Sequence, residues 1–124
     1  MTEGVEILII DDEIDMGLAL VELLEDEGYK VAEAKNGKMG LEYLSNNPGP
    51  KLILLDYMMP EMTGAEFCEA LNRNPIWKEV PVALVSAASI SSEQTAKMKI
   101  SAFVEKPLDI EKFLVLVAKL SRQD

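Results

Sequence analysis

The sequence predicts an α/β fold in which a doubly wound, five-stranded parallel sheet carries helices on both faces, five in all. Short apolar runs alternate along the chain with segments whose apolar residues recur every three or four positions. That alternation is typical of buried strands connected by amphipathic helices. The chain has 124 residues, the size of one domain, and is 48% hydrophobic, enough to enclose a core. No linker, repeat or low-complexity tract divides it, so we expect residues 1–124 to form a single domain.

The first half of the chain predicts three strands and two helices. The first and third strands are continuous apolar runs that end in carboxylates, which is typical of strands buried on both faces. Helical periodicity begins at Ile14 and ends at Gly28, and a second helix follows the turn at Asn36. The second strand is weaker and is expected at an edge of the sheet. The three predicted strands are residues 6–10, 30–34 and 51–55.

The second half predicts two more strands and three helices. Ser91 with Gln94 resembles a capping box that opens a short, polar fourth helix, and Asp109 can cap the last helix. If the turn at Lys99, just before the fifth strand, needs a left-handed backbone, the lysine there costs on the order of 1 kcal/mol. The predicted segments are a helix at 65–71, a strand at 80–85, a helix at 93–99 and a strand at 102–105, with a buried helical stripe of Phe113, Leu116, Val117 and Leu120.

Charge and composition exclude several classes of function. The formal net charge is −10, which argues against direct binding of nucleic acid or of anionic lipid. The chain has no histidine, so it can carry neither a Ser-His nor a Cys-His catalytic pair. We expect neither a signal peptide nor a membrane span, and the single cysteine, Cys68, is expected to be a buried, inert thiol. We therefore expect a cytoplasmic protein.

Polar residues stand where the predicted strands end. Asp11 and Asp12 follow the first strand, Asp56 ends the third, Ser86 the fourth and Lys106 the fifth. Because ligands of such sheets bind beyond the carboxyl ends of the strands, these side chains are expected to converge on one crevice. The acids also suit helix capping, and each residue taken alone would be unremarkable, so the prediction depends on their convergence.

The chemistry of this set indicates a magnesium and phosphoryl site. Clustered carboxylates repel one another and need a cation, and a donor set made only of oxygen favours Mg²⁺. A metal, a lysine and a hydroxyl together can balance the charge of a phosphoryl group. Since no activated serine is available, a carboxylate is the expected acceptor. Asp56 stands alone at a central strand, whereas Asp11 and Asp12 are adjacent and better placed to hold the ion.

These motifs, taken in order, resemble the receiver domain of two-component response regulators, in particular chemotaxis-type regulators with a flavodoxin-like sheet of strand order 2-1-3-4-5. The resemblance covers essentially the whole chain. It rests on Ile9-Ile10-Asp11-Asp12-Glu13, Leu55-Asp56-Tyr57-Met58-Met59-Pro60-Glu61-Met62-Thr63-Gly64, Val85-Ser86-Ala87 and Phe103-Val104-Glu105-Lys106-Pro107.

The resemblance implies a role for each matching position. Asp56 corresponds to the phosphoacceptor, and Lys106 and Ser86 to the groups that contact the phosphoryl oxygens. Asp11 and Asp12, with Asp56 and the backbone carbonyl of Met58, correspond to the Mg²⁺ ligands. Two further positions match the switch machinery: Phe103 the switch aromatic, which acts together with Ser86, and Lys106-Pro107 a cis peptide bond.

The resemblance also implies partners. A sensor histidine kinase or a phosphotransfer protein would supply the phosphoryl group, and a downstream effector would read the face formed by helix four, strand five and helix five. The protein would be a monomer or a phosphorylation-dependent homodimer, and not an enzyme beyond its own phosphorylation and dephosphorylation. The alternatives are a pseudo-receiver that only binds partners, a flavodoxin-like cofactor binder and a phosphohydrolase that uses Asp56.

Overall fold

A computed structural model describes residues 5–47, 49–57, 62–87 and 89–122. Five parallel strands form one sheet in the order β2-β1-β3-β4-β5. This confirms the predicted doubly wound α/β fold and places the second strand at an edge. The strands are β1 (Ile7–Ile10), β2 (Val31–Ala34), β3 (Leu52–Asp56), β4 (Val82–Ser86) and β5 (Ala102–Glu105).

Five α-helices connect or follow the strands, as predicted. A short 3₁₀ turn at Trp77–Glu79, which was not predicted, precedes β4. None of the helices in the described ranges is both long and apolar enough to cross a membrane. The helices are α1 (Ile14–Asp26), α2 (Gly37–Asn46), α3 (Gly64–Arg73), α4 (Ser92–Met98) and α5 (Ile110–Ser121).

The three central strands are buried along their whole length, because both faces of the sheet are covered by helices. Successive side chains of a strand point to opposite faces, so each central strand contributes to two separate cores. On one face Leu8 and Leu55 pack with Phe67 of α3. On the other face Ile9 and Leu54 pack against the helices α1 and α5. Of the predicted stripe on α5, Phe113, Val117 and Leu120 are buried in this core, whereas Leu116 is only partly buried.

The helix starts differ in one respect from prediction. Ser91 does cap α4, since its hydroxyl accepts a hydrogen bond from the backbone N–H of Gln94 at 3.1 Å. The side chain of Gln94, however, does not return to the cap and contacts Tyr57 instead. The complete capping box lies at α3, where the Thr63 and Glu66 side chains each accept from the other's backbone N–H.

The helix end before β5 has a left-handed backbone, which is the condition under which a lysine there is strained. Lys99 is the C-cap of α4 and has φ 58° and ψ 40°, in the left-handed region. A side chain with a Cβ is disfavoured there, and glycine is the usual occupant.

Candidate functional site

The sheet brings the predicted site residues to one edge. In the parallel register Ile10 pairs with Leu55, and Asp56 pairs with Val85. The residues that follow these pairs therefore emerge at the same level, beyond the carboxyl ends of the strands. Asp11, Asp56, Ser86 and Lys106 each occupy the last position of a strand or the position just after it.

Three carboxylates form the acidic part of the site. Each of Asp11, Asp12 and Asp56 offers an oxygen, and these oxygens all lie within 4.8 Å of one another. Asp11 and Asp56 are buried, whereas Asp12 is exposed. Oδ1 of Asp11 also accepts a hydrogen bond of 2.8 Å from the backbone N–H of Glu13, which holds its carboxylate in place.

This carboxylate set fits a hard divalent cation. The three groups offer only oxygen donors, which suits Mg²⁺ better than a soft or nitrogen-preferring metal. Burial of two of the three acids beside one another makes the cluster electrostatically unfavourable without a counter-charge. The fourth ligand that the resemblance implies, the Met58 backbone carbonyl, lies outside the described residues.

Lys106 supplies a positive charge beside Asp56. Its Nζ lies 4.0 Å from Oδ1 of Asp56, with both side chains largely buried. Its backbone N–H donates to the carbonyl of Ser86 at 3.0 Å, which fixes the start of the loop after β5 to the end of β4. The Lys106–Pro107 peptide bond is cis.

Ser86 and Phe103 occupy contrasting environments. Ser86 is completely buried at the end of β4. Phe103, on the edge strand β5, is 38% exposed, so its ring stands partly in solvent. It borders a shallow groove whose other walls include Pro107 and Leu116. Ser86 and Phe103, which the resemblance implies act together, thus lie on neighbouring strands: the Ser86 side chain is buried and the Phe103 ring is partly exposed.

Two features near the site were not predicted from the sequence. The Thr63 capping box sets the start of α3 after the loop that follows Asp56. Its Thr-x-x-Glu spacing is a readable signal that pattern analysis could have found. The hydrogen bond between Tyr57 and Gln94 joins residues 37 positions apart, and no local pattern reveals such a pair.

The arrangement is that of a doubly wound α/β domain whose carboxyl edge carries an oxygen-donor site beside a lysine. Comparison with known proteins identifies the family to which this domain belongs. The family described as "Response regulator receiver domain" matches residues 7–118, and the chain belongs to this family. It is a receiver domain of the kind found in two-component response regulators, which implies a role in phosphorelay switching.

Individual relatives agree with this assignment. The chain is 32% identical over 120 residues to response regulator ArlR of Staphylococcus saprophyticus, covering 95% of this chain and 53% of ArlR. It therefore spans about half the length of that relative. The Vibrio cholerae chemotaxis protein CheY4 is similar in structure, with a TM-score of 0.85, 25% identity, and coverage of 94% of this chain and 98% of that one. Response regulator TrrA of Thermotoga maritima, solved with Mg²⁺-BeF, has a TM-score of 0.83, 27% identity, and coverage of 94% and 98%.

Proposed function

We propose that residues 1–124 form a single receiver domain that accepts a phosphoryl group on Asp56 from a phosphohistidine of a partner protein. The observation that carries this proposal is the buried Asp56 carboxylate, which has the Lys106 ammonium 4.0 Å away and oxygens of two further carboxylates within 4.8 Å. The chain contains no histidine, so the donor histidine belongs to a kinase or a phosphotransfer protein.

Mg²⁺ is the cation that the cluster suits. Asp11, Asp12 and Asp56 would hold it, together with the Met58 carbonyl that the family resemblance implies. When bound, it supplies positive charge that offsets the carboxylates and the oxygens of the incoming phosphoryl group. The similar protein TrrA was solved with Mg²⁺-BeF, which supports the choice of metal.

The residues of the chain have distinct parts in the transfer. A carboxylate oxygen of Asp56 attacks the phosphorus, the P–N bond to the donor imidazole breaks, and the departing imidazole keeps the electron pair and takes up a proton. Lys106 pairs with the oxygens of the new acyl phosphate. The Ser86 hydroxyl donates to one of these oxygens, and a small shift of the buried Ser86 would open space.

The readout follows from the contrast between Ser86 and Phe103. Phosphorylation adds negative charge at the edge of the sheet. The half-exposed Phe103 ring then packs inward as Ser86 moves toward the phosphoryl group. The surface of α4, β5 and α5 changes shape, and a downstream effector, or a second copy of the domain, binds it. The modification is stoichiometric, one group per chain, so the domain acts as a switch without turning over a separate substrate.

Intact-mass measurement after incubation with Mg²⁺ and acetyl phosphate tests the proposal. The parent protein is expected to gain one phosphoryl group that hydroxylamine removes. The variant Asp56→Asn should gain none. Asp15→Asn, which removes an exposed acid in the first turn of α1, is the matched control and should behave like the parent. A parent that binds Mg²⁺ yet remains unmodified would contradict the proposal and indicate a pseudo-receiver.

A further inference from the structure

Tyr57 directly follows the proposed acceptor and is fixed by its neighbours. Its backbone N–H donates to the carbonyl of Val85 at 3.3 Å, and its carbonyl accepts from the N–H of Gly64 at 3.1 Å. Its ring packs against the apolar core on the α3 face of the sheet. A Cβ built on Gly64 would lie 3.1 Å from both Cα and Cδ1 of Tyr57, which shows how closely the two approach. Tyr57 is therefore held at the end of β3 by its backbone hydrogen bonds and by the packing of its ring.

The hydroxyl of this phenol contacts α4. Nε2 of Gln94 donates a hydrogen bond of 2.8 Å to the Tyr57 hydroxyl oxygen. Gln94 lies in the first turn of α4, three residues after the N-cap Ser91. An amide at this position usually returns to the N-cap backbone. Here it links the helix to the residue that follows Asp56.

Among the described residues, α4 makes few other contacts with the rest of the domain. It is seven residues long, and Met98, in its last turn, is its buried residue. The carbonyl of Met98 accepts a hydrogen bond of 3.2 Å from Nδ2 of Asn72 on α3. A groove of about 630 Å³ separates the rest of the helix from α3. Met98 thus anchors the C-terminal end of the helix, and the hydrogen bond from Gln94 to Tyr57 holds its first turn.

We propose that the Tyr57–Gln94 hydrogen bond restrains α4 in the unphosphorylated arrangement, which makes Tyr57 a positioning residue for the phosphorylation of Asp56. This inference rests on the proposed function. The bond occurs together with the outward, 38% exposed Phe103 ring, which the proposed function assigns to the unphosphorylated domain, so it favours that arrangement of α4. If Asp56 reacts from an arrangement in which the helix is displaced, the bond must break before the transfer, and it lowers the population of the reactive arrangement and with it the rate of phosphorylation. Loss of the bond should make Asp56 easier to phosphorylate.

Three variants test the restraint. Tyr57→Phe removes the hydroxyl and keeps the ring, and Gln94→Leu removes the donor and keeps most of the bulk. Tyr43→Phe removes a tyrosine hydroxyl on α2 and serves as the control. The initial rate of phosphorylation by acetyl phosphate with Mg²⁺ should rise about two- to fivefold in each of the first two variants, the range set by one partly exposed neutral hydrogen bond. Hydrogen exchange in the first turn of α4 should quicken in both, and the double variant should match the single ones.

A conservative variant separates a restraint from general damage. In Gln94→Glu the carboxylate can accept a hydrogen bond from the Tyr57 hydroxyl, so a link of opposite direction is retained. This variant should phosphorylate at the parent rate, and the same change in a Tyr57→Phe background should phosphorylate at the faster rate. A protein that was merely destabilised would not show this pattern.

The outcomes distinguish the two proposals. If the parent accepts a phosphoryl group and Tyr57→Phe is phosphorylated no faster, or more slowly, the restraint is refuted and the proposed function stands. Additive effects of the two single variants would also refute it. If the parent accepts no phosphoryl group, the proposed function fails, and unchanged hydrogen exchange of α4 in Tyr57→Phe would then refute the restraint separately.

Discussion

Asp12 is the exposed member of three like charges whose oxygens lie within 4.8 Å of one another. Because two charges at that separation repel by about 1 kcal/mol even in the dielectric of water, Asp12→Asn should raise the free energy of unfolding in EDTA by roughly that amount. Mg²⁺ at 100 times its Kd should stabilise the parent by about 2.7 kcal/mol and the variant by much less. Chemical denaturation with and without Mg²⁺ measures both effects.

The control for this prediction is Asp15→Asn, which changes an exposed acid in the first turn of α1, outside the carboxylate cluster. It should leave the stabilisation by Mg²⁺ intact. An equal gain from Mg²⁺ in the parent and in Asp12→Asn would show that the cluster does not hold the ion.

Cys68 is buried on α3, and burial raises the pKa of its thiol to about 12 from 9.0. At pH 8 the thiolate is then on the order of one part in 10⁴, so iodoacetamide should modify the folded protein only as fast as it unfolds. The raised pKa means that the unfolded chain releases this proton first as pH rises. Its contribution to stability is therefore complete below pH 9 and is lost progressively between 9 and about 12.

Alkylation followed by mass spectrometry, in native buffer and in denaturant, checks the thiol prediction. Rapid modification under native conditions would contradict the buried, protonated state. In Cys68→Ala the loss of stability above pH 9 should be smaller than in the parent.

α4 has a strained end as well as few attachments. Lys99, its C-cap, adopts a left-handed backbone with φ 58°. Lys99→Gly should therefore increase the free energy of unfolding by about 1 kcal/mol, because glycine carries no Cβ penalty there. The matched control is Lys97→Gly, an exposed lysine within the helix, which should decrease it by about 1 kcal/mol. Denaturant titration gives both values, and a destabilising Lys99→Gly would contradict the strain.

The elements themselves could be predicted because their signals are local. β3 and β4 are continuous apolar runs, and α5 carries a regular apolar stripe. The spacing of the buried residues in these elements can therefore be predicted from the sequence. The cap of α4 was predicted correctly at Ser91. The fate of the Gln94 side chain was not predictable, because its partner Tyr57 is brought near only by the folded sheet.

The fold of the whole molecule explains why the site could be located from sequence. In a parallel sheet every strand ends at the same edge, so acids that terminate separate strands must meet. Asp11 and Asp56 are 45 positions apart in sequence, yet they lie on adjacent strands of the sheet. What the sequence does not contain is the finer geometry: the 4.0 Å separation of Lys106 from Asp56, the exposure of Phe103 and the groove beside α4.

The net charge of −10 also acts at the level of the whole molecule. It gives the domain a field that attracts basic partner surfaces and repels polyanions, and this attraction weakens as salt is added. The chain covers 53% of its relative ArlR. Any output activity of a longer protein is therefore a separate question from the switch in this domain.

Chemical trapping of the phosphorylated residue tests the central claim most directly. Acyl phosphates are reduced by borohydride to the alcohol, so phosphorylated aspartate becomes homoserine. After treatment with acetyl phosphate and Mg²⁺, peptide mass spectrometry should find homoserine at position 56 in the parent and at no position in Asp56→Asn. Homoserine at Asp11 or Asp12, or its absence from a protein shown to bind Mg²⁺, would contradict the assignment of Asp56 as the acceptor.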